Sequence, residues 1–216
     1  MKSNDNTLSL IQKLENQLQL HTFVDDCYLD LYLDQQDILI AWVALNPKGI
    51  NYLREYGHNN TLNQLKQSLT TLIPQYWRLT DKLPYNRQAN RERLLFNQNC
   101  LQQIKDPIWL YKKFEKQTAL CYAKIPLDLI YLENHFANFP LVPGVIELQW
   151  IQEQINVLLK KTVIIQQISK LKFQKFLRPN DIFKLTLNWQ QEKKMVIFSM
   201  QCAEENCCSG IAHYRE

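Results

Sequence analysis

The chain has 216 residues, 46% of them hydrophobic and 21% charged, which predicts two domains of about a hundred residues each. Its four glycines are too few to build a glycine-rich loop around the phosphates of a nucleotide. The net charge of +4, with basic and acidic residues interleaved, argues against nucleic-acid binding. The sequence has no charged leader before an apolar run and no stretch of roughly twenty apolar residues, so we expect no membrane span and a soluble, cytoplasmic protein.

The six cysteines do not form a C-x-x-C pair, which disfavours a metal site or a redox motif. Cys207 and Cys208 are adjacent, and neighbouring residues of a strand point to opposite faces, an arrangement that suits neither a disulfide nor zinc. We therefore expect the cysteines to be small buried hydrophobic residues, and we expect no metal.

The first half of the chain alternates between helical and extended patterns. Apolar residues at helical spacing predict a helix from Leu8 to about Leu20. Apolar runs predict strands over 27–33 and 38–45, joined by a polar turn. Asn-Pro-Lys-Gly at 46–49 is interpreted as a second break, and a leucine stripe then predicts a helix that ends before Pro74. These elements make a compact αβ unit.

The hydrophobic patterns in the second half of the chain predict a curved sheet. Residues 99–116 show no clean period, so we predict that they link a domain of residues 1–98 to one of residues 117–216. The patterns predict a mainly apolar helix over 145–159 and strands over 119–125, 164–176, 182–189, 195–203 and 209–214. One long helix among antiparallel strands predicts an α+β fold whose sheet wraps around the helix.

One segment carries a dense motif, with His135, Phe136, Pro140, Pro143, Gly144 and Val145 in fixed register. It resembles the hot-dog thioester family, in particular the beta-hydroxyacyl carrier-protein dehydratases and their aryl-polyene branch. Lys172-Phe173 and the turn at 178–181 resemble further family segments, and the resemblance covers roughly residues 117–214. It implies a dehydratase of fatty acid or aryl polyene synthesis. The substrate would be carried on the phosphopantetheine of an acyl carrier protein or on coenzyme A, with no other cofactor.

Physical chemistry gives the motif a rationale. Pro140 and Pro143 stiffen the arm, and Gly144 lets the chain turn sharply into a helix. The first amides of that helix can receive a thioester oxygen and stabilise an enolate. His135, with an ordinary pKa near 6.5, suits removal of the neighbouring carbon-bound proton. The resemblance assigns His135 this catalytic role and implies a homodimer or heterodimer that assembles through the hot-dog domain.

The departing hydroxyl needs a proton, and the family has a carboxylate fourteen positions after the histidine. Gln149 occupies that position here, and an amide cannot give up a proton. Glu147 lies roughly 200° around the helix from Gln149, which makes it a poor substitute. Ala137 also replaces a family proline. We therefore expect the wild type to bind substrate but to be nearly silent, and Gln149→Glu to gain activity. If His135 instead performs the full proton relay alone, Gln149→Glu should alter turnover only modestly. The alternatives are a thioester-binding or scaffolding subunit paired with an active partner and a separate ligase, a thioesterase, and a purely structural turn histidine.

The segment from Trp77 to Asn90 resembles a second, unrelated family. With the helices and strands before it, it resembles the small C-terminal lid domain of adenylate-forming acyl and aryl ligases. Ala89 and Asn90 stand where that family has glycine and a catalytic lysine, and we expect the chain to lack the family's large nucleotide-binding domain. We expect a degenerate lid that serves packing or docking and binds ATP no more tightly than millimolar. A basic cluster is either a solvated face or a contact for an acidic carrier protein. It consists of Lys82, Arg87, Arg91 and Arg93.

Overall fold

The computed structural model describes residues 2–32, 35–84, 99–132 and 139–215. The chain divides into two compact units. The first comprises Met1–Ile104 with Leu132–Pro140, and the second comprises Lys105–Tyr131 with Leu141–Glu216. Within the described residues, no helix combines the length and apolar character needed to cross a membrane.

The described residues of the first unit include three helices and a three-stranded sheet. They are α1 (Lys2–Gln19), β1 (Val24–Tyr32), β2 (Gln35–Leu45), α2 (Pro47–Tyr56), α3 (His58–Gln67) and β3 (Tyr76–Thr80). The sheet order is β1-β2-β3, with β1 antiparallel and β3 parallel to β2. Leu14 and Leu18 of α1 are fully buried, as their helical spacing predicted. Glu15 also ties α1 to the sheet, because its Oε1 accepts a hydrogen bond from the Leu29 N–H at 2.8 Å.

The break predicted at residues 46–49 is the start of α2. Asn46 is the N-cap, and its Oδ1 accepts hydrogen bonds from the N–H groups of Lys48 at 3.0 Å and Gly49 at 3.1 Å. Pro47 follows at the first helical position, where a missing N–H costs nothing. A turn-like sequence therefore acts here as a complete helix start signal.

The second unit contains a six-stranded antiparallel sheet and one long helix. Its elements are β4 (Ile108–Phe114), β5 (Thr118–Lys124), α4 (Gly144–Leu159), β6 (Ile164–Phe173), β7 (Ile182–Gln190), β8 (Met195–Cys202) and β9 (Glu205–Arg215). The strand order is β4-β5-β7-β8-β9-β6. The fully buried Trp150 of α4 stacks on Phe183 of β7, with ring centroids 6.3 Å apart. The predicted α+β arrangement of a sheet around a helix is confirmed for this half.

The segment predicted as a linker, residues 99–116, contains a strand. β4 pairs antiparallel with β5, for example Lys112 opposite Cys121. Its side chains are mostly exposed, so backbone pairing rather than burial holds it in place. A strand with neither face buried has no alternation for a periodicity argument to detect.

Cys207 and Cys208 do not point to opposite faces in the way that adjacent residues of a regular strand would. Both are fully buried, because a bulge interrupts the pairing of β8 with β9. Met200 pairs with Cys208 and the next residue of β8 pairs with Asn206, which leaves Cys207 as the extra residue. The bulge places both thiols in the interior.

Candidate functional site

The start of α4 is held by the extended arm that precedes it. The Val142 N–H donates a hydrogen bond to the Leu177 carbonyl at 2.8 Å, which fixes the arm to the loop before β7. That loop closes on itself, because the Arg178 N–H donates to Asp181 Oδ2 at 2.9 Å. Pro143, with φ −61° and ψ 137°, then delivers the chain into the helix. The motif residues 142–145 and the turn at 178–181 are therefore parts of one local structure.

The first turn of α4 presents backbone donors without an internal acceptor. The N–H groups of Ile146 and Glu147 donate to the Pro143 carbonyl, at 2.9 and 3.2 Å. Pro143 provides no side-chain cap, and no described residue accepts a hydrogen bond from the N–H of Gly144 or Val145. Two donors at the positive end of a helix can bind the oxygen of a ligand. Gly144 thus lies where the sequence predicted an oxyanion-binding amide, and that role stays a prediction.

Gly144 is required at this position for packing as well. A Cβ atom here would lie 2.7 Å from two ring atoms of Phe173, the residue at the end of β6. The Phe173 side chain is 47% exposed although it lies against the helix. The sequence analysis linked both residues to one family but not to each other, and the structure brings them into contact.

Gln149 and Glu147 lie on opposite faces of α4, as the helical rotation predicted. Gln149 is exposed, and its Nε2 donates to Glu153 Oε1 at 3.3 Å. Glu147 is 2% exposed and belongs to the helix face that packs on the sheet. The side chain at the family's carboxylate position is therefore a solvent-facing amide, and the neighbouring carboxyl group is internal.

Burial around Glu147 raises the pKa values of three ionisable side chains. Burial raises the pKa of Glu147 from an ordinary value of 4.5 to about 8. Burial is also the first cause that raises the pKa values of the nearby Cys207 and Cys208 thiols to about 12. At neutral pH all three groups are therefore predominantly protonated. Sequence reasoning missed this cluster, although Glu147 lies one turn before the buried Ile151 and thus on the apolar stripe.

Several predicted residues lie outside the described residues. His135, the proposed base, is one of them, as are Phe136 and Ala137 of the same motif. In the lid-like segment, Ala89, Asn90 and the three arginines of the basic cluster also lie outside. Their roles stay predictions from the sequence. Among the residues that the structure does describe, no three His, Cys, Asp or Glu side chains are grouped to hold a metal ion.

An antiparallel sheet that wraps a long central helix defines the hot-dog fold, and the second unit has this architecture. Residues 111–211, from within β4 to within β9, match the ApeI-like family, whose model is described as the ApeI dehydratase. The C-terminal region of the chain therefore matches a family of hot-dog dehydratases. The matched range begins at residue 111, and the ligase-lid likeness of the first half stays a prediction.

The chain is similar to individual proteins over part of its length. It is 24% identical over 84 residues to the 3-hydroxyacyl-[acyl-carrier-protein] dehydratase FabZ of Lactobacillus helveticus (strain DPC 4571), which covers 36% of this chain and 57% of that protein. It is similar to the dehydratase heterocomplex ApeI:P from Xenorhabdus doucetiae, with 23% identity, a TM-score of 0.49, and coverage of 51% of this chain and 99% of that one. An uncharacterized protein from Erwinia carotovora subsp. atroseptica gives 24% identity, a TM-score of 0.46, and coverage of 51% and 96%.

Proposed function

We propose that the chain acts on 3-hydroxyacyl thioesters carried by phosphopantetheine, as a dehydratase of fatty acid or aryl polyene type. The observation that supports this most is the first turn of α4, where no described residue accepts a hydrogen bond from the N–H groups of Gly144 and Val145. This turn lies inside the range that matches the ApeI-like dehydratase family. The free amides are the part of such a site that the described residues supply.

The chemistry assigned to the site has two halves. In the first, the thioester oxygen accepts hydrogen bonds from the α4 amides while His135 removes a proton from C2, and the resulting enolate charge is stabilised by the helix end. In the second, the bond from C3 to the hydroxyl oxygen breaks, and the hydroxyl must be protonated to leave as water. His135 and the amides serve the first half, and the second half needs an acid.

The second candidate function is a binding or scaffolding subunit without turnover. The exposed Gln149 favours it, because the family position for the acid holds an amide that hydrogen-bonds only to Glu153 among the described residues. Such a subunit would bind the thioester at the α4 amides and would leave catalysis to a hot-dog partner.

The two functions separate in a dehydration assay. Purified protein is incubated with 3-hydroxyoctanoyl thioesters of coenzyme A and of an acyl carrier protein, and loss of water is followed by mass spectrometry. A dehydratase forms the 2-enoyl thioester, and His135→Ala lowers its rate by about 10²–10⁴-fold. A binding subunit retains thioester without turnover, and Gln149→Glu then supplies the missing acid and creates activity. The absence of both turnover and thioester binding would contradict both functions.

We also propose that the second unit dimerises through β6, with a second copy or with a hot-dog partner. β6 is an edge strand of ten residues, and Ile164, Leu171 and Phe173 along it are 58%, 38% and 47% exposed. A long edge with apolar side chains is prone to aggregate unless another strand covers it. Light scattering at micromolar concentration is expected to give the purified chain at least the mass of a dimer. If the partner is a different hot-dog protein, the mixture of the two is expected to give the mass of their complex. A monomer that binds no hot-dog partner would contradict this.

A further inference from the structure

The six-stranded sheet of the second unit has an outer face, opposite to the face that packs on α4. In β5, Ala119, Cys121 and Ala123 are buried on the α4 side, so the residues between them point to the outer face. Tyr122 and Lys124 are two of these outward residues, and Tyr122 is 37% exposed. The outer face beside β5 is therefore open to solvent.

Two cross-strand rows of this face combine large apolar side chains with lysine. They are Ile108–Lys124–Ile182 and Tyr111–Tyr122–Lys184, each in the order β4, β5, β7. Ile108, Tyr111 and Ile182 are 46%, 49% and 53% exposed. A register shift between Trp109 and Tyr111 brings Tyr111 to the same face as Ile108, and the Tyr111 ring centroid lies 6.3 Å from that of Tyr122. We call these six residues the outer patch.

The strands that carry the outer patch are basic. Residues 108–124 include four lysines and one acid. The lysines are Lys112, Lys113, Lys116 and Lys124, and the acid is Glu115. Lys113 Nζ pairs with Glu115 Oε1 at 2.8 Å, and β7 adds Lys184 without an acidic residue. This excess of positive charge complements an anionic partner.

Protection of the sheet edge does not explain these lysines. Lysine on an edge strand prevents pairing with other chains, and β4 is an edge strand. β5 and β7, however, lie inside the sheet, and they carry Lys124 and Lys184. Large exposed apolar side chains rimmed by polar residues are typical of an interaction surface.

The residue types of the outer patch favour lipid over other anionic partners. Protein interfaces are enriched in arginine and depleted in lysine, and arginine is the preferred bidentate ligand of nucleic-acid phosphates. The sequences of β4, β5 and β7 contain lysine and no arginine. Lysine, tyrosine and isoleucine together suit a bilayer surface. The lysine stem lies along apolar groups while its ammonium reaches the phosphates, and the tyrosine ring lies at headgroup level.

We propose that the outer patch binds the surface of a bilayer that contains anionic phospholipids. Lys124 and Lys184 lie against the headgroup phosphates, and Ile108, Ile182 and Tyr111 enter the boundary between headgroups and acyl chains. Binding of this kind is peripheral. It does not depend on the proposed thioester chemistry, because the outer patch and α4 lie on opposite faces of the sheet.

The test is sedimentation of the full chain with vesicles of two compositions. One set is phosphatidylcholine alone, and the other is equal parts of phosphatidylcholine and phosphatidylglycerol. The wild type is expected to sediment with the anionic vesicles, to remain largely unbound with the neutral ones, and to be released as the salt concentration rises. Equal binding to both vesicles, or binding to neither, would overturn the proposal.

Three variants locate the binding surface, each first shown to be folded by circular dichroism. Lys184→Gln is expected to weaken binding to the anionic vesicles about five-fold, the usual contribution of one lysine at such a surface. Ile182→Thr keeps a β-branched side chain but removes apolar reach, and is expected to weaken binding about five-fold as well. Lys160→Gln is the matched control. It removes the same charge from the exposed residue that ends α4, on the other side of the sheet, and its binding is expected to match wild type.

An equal loss of binding in Lys184→Gln and Lys160→Gln would mean that overall charge, and not the outer patch, attracts the vesicles, which would overturn the proposal. The same proteins are titrated with a fluorescent single-stranded oligonucleotide and with an acyl carrier protein. Binding of either probe that is lost in Lys184→Gln, in a wild type that does not bind vesicles, would assign the outer patch to that partner and also overturn the proposal.

Discussion

Two helix starts in this chain use similar residues for opposite purposes. α2 begins with Asn46, Pro47 and Gly49, and the Asn46 side chain accepts hydrogen bonds from two of its first amides. α4 begins with Pro143 and Gly144, and no described side chain caps it. Glycine allows close packing in both, against Phe23 in α2 and against Phe173 in α4. The difference lies in the first amides: in α2 two of them donate to the Asn46 side chain, whereas in α4 no described residue accepts from the N–H groups of Gly144 and Val145.

Among the effects that test this comparison of helix starts, the largest is expected when the N–H group of Gly144 in α4 is removed. Gly144→Pro deletes an N–H but suits the first turn of a helix, and Gly144→Ala adds a comparable Cβ atom while keeping the N–H. Relative to Gly144→Ala, we expect Gly144→Pro to lower C2 exchange by about 10²–10³-fold, the usual cost of a lost oxyanion donor. Deuterium incorporation measured for both variants checks this. Equal rates would mean that the Gly144 amide does not contact the thioester oxygen.

The second effect concerns the buried carboxyl group of Glu147 in α4. The folded-state pKa of Glu147, about 8, exceeds its ordinary value of 4.5, so the folded chain binds this proton more tightly than the unfolded chain. The resulting stability is fully present below about pH 4.5 and is lost as the pH rises through about 8. Between these values the slope is on the order of 1.4 kcal/mol per pH unit.

Urea unfolding of wild type and Glu147→Gln between pH 6 and pH 8 isolates this contribution, because the other titrating groups are common to both proteins. We expect the free energy of unfolding of the wild type to fall relative to that of the variant as pH rises. A difference that is constant across this range would show that Glu147 is not an internal protonated acid.

The third effect compares the two glycines. A Cβ atom at Gly49 would lie 2.5 Å from the Phe23 carbonyl oxygen and 2.9 Å from the Phe23 Cβ, neither of which can move without the backbone. We expect Gly49→Ala to lower the free energy of unfolding by about 1–3 kcal/mol. The three atoms nearest to a Cβ at Gly144 all belong to the half-exposed ring of Phe173, which can rotate, so Gly144→Ala should be less destabilising. Urea unfolding of both variants measures the difference, and a larger loss for Gly144→Ala would reverse the comparison.

The sequence predicted those elements whose burial is periodic. α4 and the strands β5, β7 and β8 follow the predicted ranges within a few residues, because each has an apolar side that packs in the interior. α1 ends where predicted but begins at Lys2 rather than at Leu8. The start of α2 was missed, since Pro47 and Gly49 also suit a turn, and only the cap formed by Asn46 distinguishes a helix. β4 was missed because its side chains are mostly exposed and its partner strand fixes it.

The same distinction holds within the candidate site. The motif placed Gly144 at the start of a helix, and the rotation between Glu147 and Gln149 was correct. The apolar stripe through Ile151 predicts that Glu147, and not Gln149, lies toward the sheet. The motif comparison did not use this signal. The burial of both Cys207 and Cys208 depends on a bulge set by backbone pairing, which strand alternation does not predict.

The central claim is that the open start of α4 activates an acyl thioester for removal of its C2 proton. The most direct measurement uses octanoyl pantetheine thioester, which has no 3-hydroxyl group and therefore reports the first half of the reaction alone. In deuterated water, mass spectrometry is expected to show deuterium at C2 with the wild type and about 10²–10⁴-fold less with His135→Ala. Exchange no faster than with buffer, in a wild-type sample shown to be folded, would contradict the account.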